Sequence, residues 1–294
     1  MILTKIRIQE EHPMISAYTE ASWPLPVIDL HVDPSAGVNG YILRNTVGLD
    51  PPDFAQIVEG FDVYGVPIKD TVLTDREIVF RIALSPGVGQ PYSVLRDAWY
   101  KFVNRSILIS FMNGYDIVAQ AKGFIRNFEA VHFSNQPEVI VTILCDNGEL
   151  TAPEPLNIPL ATLDTLHPVI NYEIGTAPTG IELKFEHTGA SPIPYFTIYN
   201  HNRLWYQGTE SITNFFEVDY ELEPGDIVTI TTDLGNRRIK LERDFDILDL
   251  AGYINPGAVW PKLYPGVTTW DWTFDTSSWM TWISAGYYPK YWGV

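Results

Sequence analysis

The chain has 294 residues and a mass of 33.3 kDa, and its 46% hydrophobic content excludes wholesale disorder. Its 36 acidic side chains against 19 basic ones give a net charge of −17 and a sequence pI near 4.6, which argues against gripping nucleic-acid phosphates or anionic lipid, since both need clustered Lys and Arg. Cys145 is the single cysteine, so one chain forms neither a disulfide nor a cysteine-based zinc site.

In chain order, the first fifteen residues reach Glu10, Glu11 and Pro13 before a signal-peptide core could form, which predicts synthesis without a secretory signal. No apolar run approaches the roughly 20 residues that span a bilayer, so no membrane insertion is expected. Alternating or β-branched runs predict strands over 27–32, 78–84, 106–111, 139–144, 181–185, 196–199, 227–232 and 238–241. Gly, Pro, Asn and Asp clusters separate them, including Asn39-Gly40, Asn113-Gly114, Asn147-Gly148 and Leu234-Gly235-Asn236. No fixed-period repeat is visible, which disfavours a propeller or solenoid.

One segment departs from the pattern. Over 91–104, Tyr92, Leu95, Trp99 and Phe102 fall at i, i+3, i+7 and i+10 behind Pro91, which predicts a helix with all four on one face, anchored by Leu95 and Trp99. Pro153, Pro155, Pro159 and Pro168 mark the domain boundary. The expected organisation is a first domain over 1–152, a linker over 153–166 and an all-β second domain over 167–294.

Catalytic motifs are scarce. There is no Gly-x-Ser-x-Gly elbow and no His-Glu-x-x-His, and the Gly-rich stretch at Gly87 lacks the Gly-Lys-Ser/Thr ending of a phosphate loop. The six histidines show no i, i+2 or i, i+4 pair. Glu217, Asp219 and Glu221 alternate with Val218, Tyr220 and Leu222, placing the carboxylates on one strand face. A wet face explains this more simply than a catalytic pair, although neighbouring carboxylates about 7 Å apart along a strand could serve a glycoside hydrolase or lyase with Glu217 and Asp219 as acid and base. Asp244, Asp246 and Asp249 mimic a calcium loop without its central Gly or terminal Glu. The segment 260–294 holds six of the nine tryptophans. For them core packing ranks first, subunit contact second and sugar stacking third, with Trp270 and Trp272 on one inward strand face.

Several stretches together carry a family resemblance: 41–52 with its Pro51-Pro52, the turn at Tyr64-Gly65, the strand over 76–84, the helix over 92–104, the strand ending 139–146, the Gly225-Asp226 and Asp233-x-Gly235 turns within 222–237, and Leu263-Tyr-Pro-Gly266. In this series the chain resembles the distal tail (Dit) proteins of long-tailed, siphovirus-like phages, which form the ring joining the tail tube to the tip or baseplate. The resemblance implies a mainly β fold, with a tail-tube-like β-sandwich or barrel carrying one helix, followed by a galectin-like β-sandwich. It further implies a virion tail-tip protein made in the host cytoplasm, without catalysis or cofactor. The implied assembly is a homohexamer, as one ring or two stacked rings, joined to the tail tube protein, the tail-tip hub protein and receptor-binding proteins. No long second-domain insertion is visible, which weakens the receptor-binding-protein partnership.

DNA would traverse the lumen without specific binding, and six copies carry on the order of a hundred negative charges, which would repel the passing phosphates. Subunit contacts are expected within 68–84, with Val79, Ile82 and Leu84 as candidates, so aspartate at Val79 and Ile82 should block the ring while leaving the monomer folded. A competing reading makes the second domain a carbohydrate-binding module for host polysaccharide, with Trp205 and Tyr206 as glycan contacts.

Overall fold

A computed structural model describes residues 3–11, 26–32, 40–50, 54–61, 67–73, 75–130, 137–146, 148–163, 168–172, 174–203, 211–233, 236–272 and 280–293. The chain divides into two compact units, one formed by Met1–Pro153 together with Tyr291–Val294, the other by Glu154–Lys290.

The first unit contains β1 (Lys5–Glu10), β2 (Val27–His31), β3 (Gly40–Val47), β4 (Phe54–Phe61), β5 (Pro67–Leu73), β6 (Glu77–Ser85), α1 (Tyr92–Ala98), β7 (Ser106–Asn113), β8 (Asp116–Ala130), β9 (Glu138–Cys145) and β10 (Leu150–Thr151). Strand neighbours run β8-β7-β1-β2-β3-β6-β9, and β9 pairs back onto β8, so seven strands close a barrel. Closure removes sheet edges from this body. The join between β2 and β3 is parallel. Alternation along the strands turns Ile6, Ile8, Phe80, Ile82, Ile107, Ile109, Val141 and Ile143 inward, each fully buried.

The predicted helix exists, but as seven α-helical residues followed by a 3-10 turn over Trp99–Phe102. Leu95, Trp99 and Phe102 face the barrel core as expected, whereas Tyr92 stays 48% exposed. Tyr92 is the first helical residue, directly after Pro91, and lies in the exposed run 88–94 that leads into the element, so its spacing matches the core face but its position precedes it. Tyr41 from β3 pins this element, donating its hydroxyl to the Leu95 carbonyl at 2.8 Å and meeting the Trp99 ring edge-on at 5.9 Å.

Arg76 is a second fixed point. It is 3% exposed and donates from Nε to the Gly148 carbonyl at 2.8 Å, from Nη1 to the Gly48 carbonyl at 2.9 Å, and from Nη2 to the Trp292 carbonyl. One guanidinium thus ties three distant stretches of chain, and the last residues are stitched into the first unit. Burial pulls its pKa down from the usual arginine value.

The second unit contains β11 (Leu156–Asn157), α2 (Leu160–Leu163), β12 (Val169–Tyr172), β13 (Glu182–His187), β14 (Phe196–Arg203), β15 (Ser211–Val218), β16 (Ile227–Thr231), β17 (Arg238–Arg243), β18 (Asp246–Asp249), β19 (Gly266–Trp272) and β20 (Met280–Tyr287). A closing β21 (Lys290–Tyr291) joins the sheet of the first unit, which β10 also extends. Six strands in the order β11-β20-β13-β16-β17-β18 form one sheet of the second unit, and β12-β19-β14-β15 form another. Side chains from both fill one core, with Phe185 of the first sheet meeting Phe196 of the second edge-on at 5.8 Å. This is a two-sheet sandwich.

The stretch expected as a linker over 153–166 belongs largely to this sandwich. It supplies β11 and α2, and it buries Ile158 and Leu163 in the core. Proline density marked the region as non-strand, but apolar residues between the prolines pack as any core residue does.

Candidate functional site

The subunit-contact candidates separate cleanly. Ile82 is fully buried, Leu84 is 7% exposed, and both belong to the barrel core, while Val79 is half-buried. The strand that carries them, β6, pairs with β3 on one side and β9 on the other. Its backbone is therefore already used, and its alternation sends Ile82 inward. Aspartate at Ile82 would place an unpaired carboxylate in an apolar core, so it cannot serve as a surface probe that spares the monomer.

The other part of the expected contact stretch, residues 68–73, lies in a different setting. Strands β4 and β5 form a two-stranded antiparallel ribbon that pairs with no third strand among the described residues. A register shift between Val58 and Gly60 interrupts the ladder. Such a ribbon offers two rows of backbone donors and acceptors to an incoming strand, and in isolation it is only marginally stable. The sequence places 68–73 within the expected contact stretch but does not show the ribbon itself, because the local signal over 54–73 is one of alternation broken by Gly60 and Gly65 rather than of a strong strand. Near the helix, Val88, Tyr92, Val94 and Tyr100 are also exposed, Val88 completely.

On the second unit, the alternating carboxylates stand as spacing implied. Val218 and Leu222 are buried, Tyr220 packs against the core, and Asp219 and Glu221 are exposed. Glu217 is held in place: one carboxylate oxygen accepts from the Asn255 side-chain amide at 2.8 Å and the other from the Thr197 hydroxyl at 3.1 Å. These bonds tie the end of β15 to β14 and to the loop after β18. Trp205 and Tyr206 lie outside the described residues, as do the turns at Asn39 and Asn147 and at Leu234-Gly235.

The turn residues of the 222–237 stretch have a structural role. Gly225 has φ +94°, where a side chain would be strained, and Asp226 is 1% exposed. Asp226 accepts from the Glu223 amide at 2.7 Å and from two nitrogens of Arg243. Leu263 is buried and exchanges backbone bonds with Thr179 at 2.9 Å in both directions, and Gly266 at φ +103° opens β19.

Among the aromatic cluster, Trp270 is fully buried, Trp282 is 6% exposed and donates to the Leu163 carbonyl at 3.2 Å, and Trp260 packs partly buried against Phe216. These three serve the core, and the Trp272 and Trp279 side chains lie outside the described residues. Asp244 and Phe245, with φ of 49° and 72°, are the two central residues of the tight hairpin turn between β17 and β18, and Asp246 opens β18 opposite Arg243. Among the described residues no three His, Cys, Asp or Glu side chains are grouped to hold a metal ion, and no helix is long and apolar enough to cross a membrane.

No protein-family model matches the chain, and no curated protein matches it. Solved structures do. The SPP1 Dit protein (gp 19.1), described as a paradigm of the hub adsorption apparatus in phages infecting Gram-positive hosts, aligns over 85% of this chain and 93% of its own length, with a TM-score of 0.53 at 12% identity. Two structures of the phage P2 baseplate in its activated conformation, with Ca and with Sr, align over 99% and 98% of this chain and 98% of theirs, with TM-scores of 0.39 and 0.38 at 8% and 9% identity. The chain shares its mainly β, two-unit fold with the SPP1 hub protein.

Proposed function

We propose, from the premise that this chain has the fold of a Dit hub protein, that it is a structural component of a phage tail tip. In this reading six copies close into one ring, or two stacked rings, between the tail tube and the tip hub. The second unit is a galectin-like sandwich available to neighbouring tail proteins, and DNA passes through the ring on ejection. The observation that carries the assembly reading is the β4–β5 ribbon, whose two outer edges have no strand beside them among the described residues. Pairing with a neighbouring copy would satisfy those backbone groups and close the ring symmetrically. The strong net negative charge suits a conduit that must release DNA rather than hold it.

Native mass measurement with negative-stain imaging tests the ring. A hollow hexamer or dodecamer, formed alone or on mixing with the phage's tail tube protein, supports the reading. A monomer under both conditions overturns it.

A further inference from the structure

The two sheets of the second unit finish differently at β15 and β18. Along β15, the outer strand of one sheet, the loop after β18 covers the backbone. The Asn255 and Val259 amides donate to the Glu217 and Phe215 carbonyls at 3.0 and 2.8 Å, and the Asp219 amide donates to the Tyr253 carbonyl at 2.8 Å. At β18, the outer strand of the other sheet, no backbone bond from beyond the sheet arrives among the described residues. The Leu250 amide donates to the Ile239 carbonyl of β17 at 3.0 Å, and in an antiparallel ladder the bonding direction alternates residue by residue. The backbone groups of Asp246 and Leu248 therefore point to β17, and those of Ile247 and Asp249 point outward. All four side chains of β18 are exposed, Ile247 at 67% and Leu248 at 42%, with Phe245 wholly exposed at the turn. Lysine, proline or a bulge would blunt such an edge, and β18 and its register with β17 show none of them.

Charge along this edge limits what can pair with it. Asp244, Asp246 and Asp249 stand there, and none is in an ion pair among the described residues. Arg243, opposite Asp246, is taken up by Asp226 and Glu223. A second β18 fits poorly. Its outward residues, Ile247 and Asp249, must face their counterparts, and every such antiparallel register sets a carboxylate against an apolar side chain or against another carboxylate. A strand with lysine or arginine opposite Asp246 and Asp249, and apolar residues opposite Ile247 and Leu248, meets neither objection. It would bond the outward N–H and C=O groups, cover both apolar side chains and neutralise two carboxylates. The described pairings of this sheet are all antiparallel, which is also the more stable direction for an added strand.

We propose that β18 takes up an extended segment of another protein as one more antiparallel strand, a segment with a basic residue at each end of an apolar pair. This rests on the sheet edge and does not depend on whether the chain forms a ring. Amide hydrogen exchange followed by NMR on the full chain tests it, with the end-blocked peptide RKVIKR as probe and EEVIEE as its acidic counterpart. At about ten times the Kd found by titration, RKVIKR should slow exchange at Ile247 and Asp249 about tenfold, because only free protein exchanges there. Added salt should weaken the effect, and EEVIEE should leave both amides unchanged. Ile247→Lys, which sets a like charge against the peptide at an exposed position, should abolish the effect of RKVIKR with the melting temperature unchanged. No slowing by RKVIKR, equal slowing by EEVIEE, or slowing that survives Ile247→Lys overturns the proposal. So does slowing that appears without peptide as the protein is concentrated, which would assign the edge to a second copy.

Discussion

Arg243 grips Asp226 with two nitrogens, Nε to one carboxylate oxygen at 2.8 Å and Nη2 to the other at 2.6 Å, while Asp226 is almost wholly removed from water. The same guanidinium reaches Glu223 at 2.9 Å and the Glu221 carbonyl at 3.0 Å, and the adjoining carboxylates push its pKa above the usual arginine value. Removing one partner of a buried pair leaves the other charge stranded. Arg243→Ala should therefore destabilise the sandwich by about 3 kcal/mol, measured by chemical denaturation. Arg243→Lys should recover only part of this, because an ammonium cannot supply the two-pronged contact.

The contrast between Ile82 and Val79 gives a second prediction. Ile82→Ala should cost about 2–5 kcal/mol as a core cavity, and Ile82→Asp should prevent the barrel from folding. Val79→Asp, at a half-buried site, should leave the monomer folded. Circular dichroism melts of the three variants check this.

Arg7 and Asp29 form a bidentate contact across β1 and β2, at 2.8 and 3.0 Å, which holds the Asp29 carboxyl below its ordinary pKa of 3.8. The stabilisation this linkage supplies is complete above the unfolded pKa and disappears as pH falls through the lower folded one. With Asp29 about a third exposed, its worth is modest, about 0.5–1 kcal/mol. The difference in stability between the wild type and Asp29→Asn should therefore be constant from pH 7 to 5 and vanish toward pH 2. Equal differences at pH 7 and pH 2 would remove Asp29 from the account.

Cys145 is 1% exposed, and burial raises its thiol pKa to about 12. At pH 8 the thiolate is scarce and unreachable. Ellman's reagent should leave the native protein unreacted and label one thiol per chain in denaturant.

How far the sequence spoke for the structure depended on how local each signal was. The runs at 78–84 and 139–144 became β6 and β9 almost residue for residue, because both alternate cleanly and one face of each is core. The fifteen-residue β8 left less trace. Its outward positions carry Gln120, Lys122 and Arg126, and a register shift after Ile125 breaks its period. The Asn113-Gly114 signal marked a true hairpin displaced by one position, since Asn113 closes β7 and Gly114 and Tyr115 form the turn. The β4–β5 ribbon could be read only in part: 68–73 falls in the expected contact stretch, but that the ribbon pairs with no third strand among the described residues is a property of the fold and not of its own sequence.

The Arg76 node also sets an order of events during synthesis. Two of its three carbonyl partners, Gly48 and Gly148, are made early, but the third belongs to Trp292. The barrel strands can therefore pair while the sandwich is still being translated, yet the buried guanidinium stays one partner short until the ribosome has passed that tryptophan. The seven barrel strands all precede residue 146, so the fold of the first unit is laid down early and its last buried donor is satisfied only by the end of the chain.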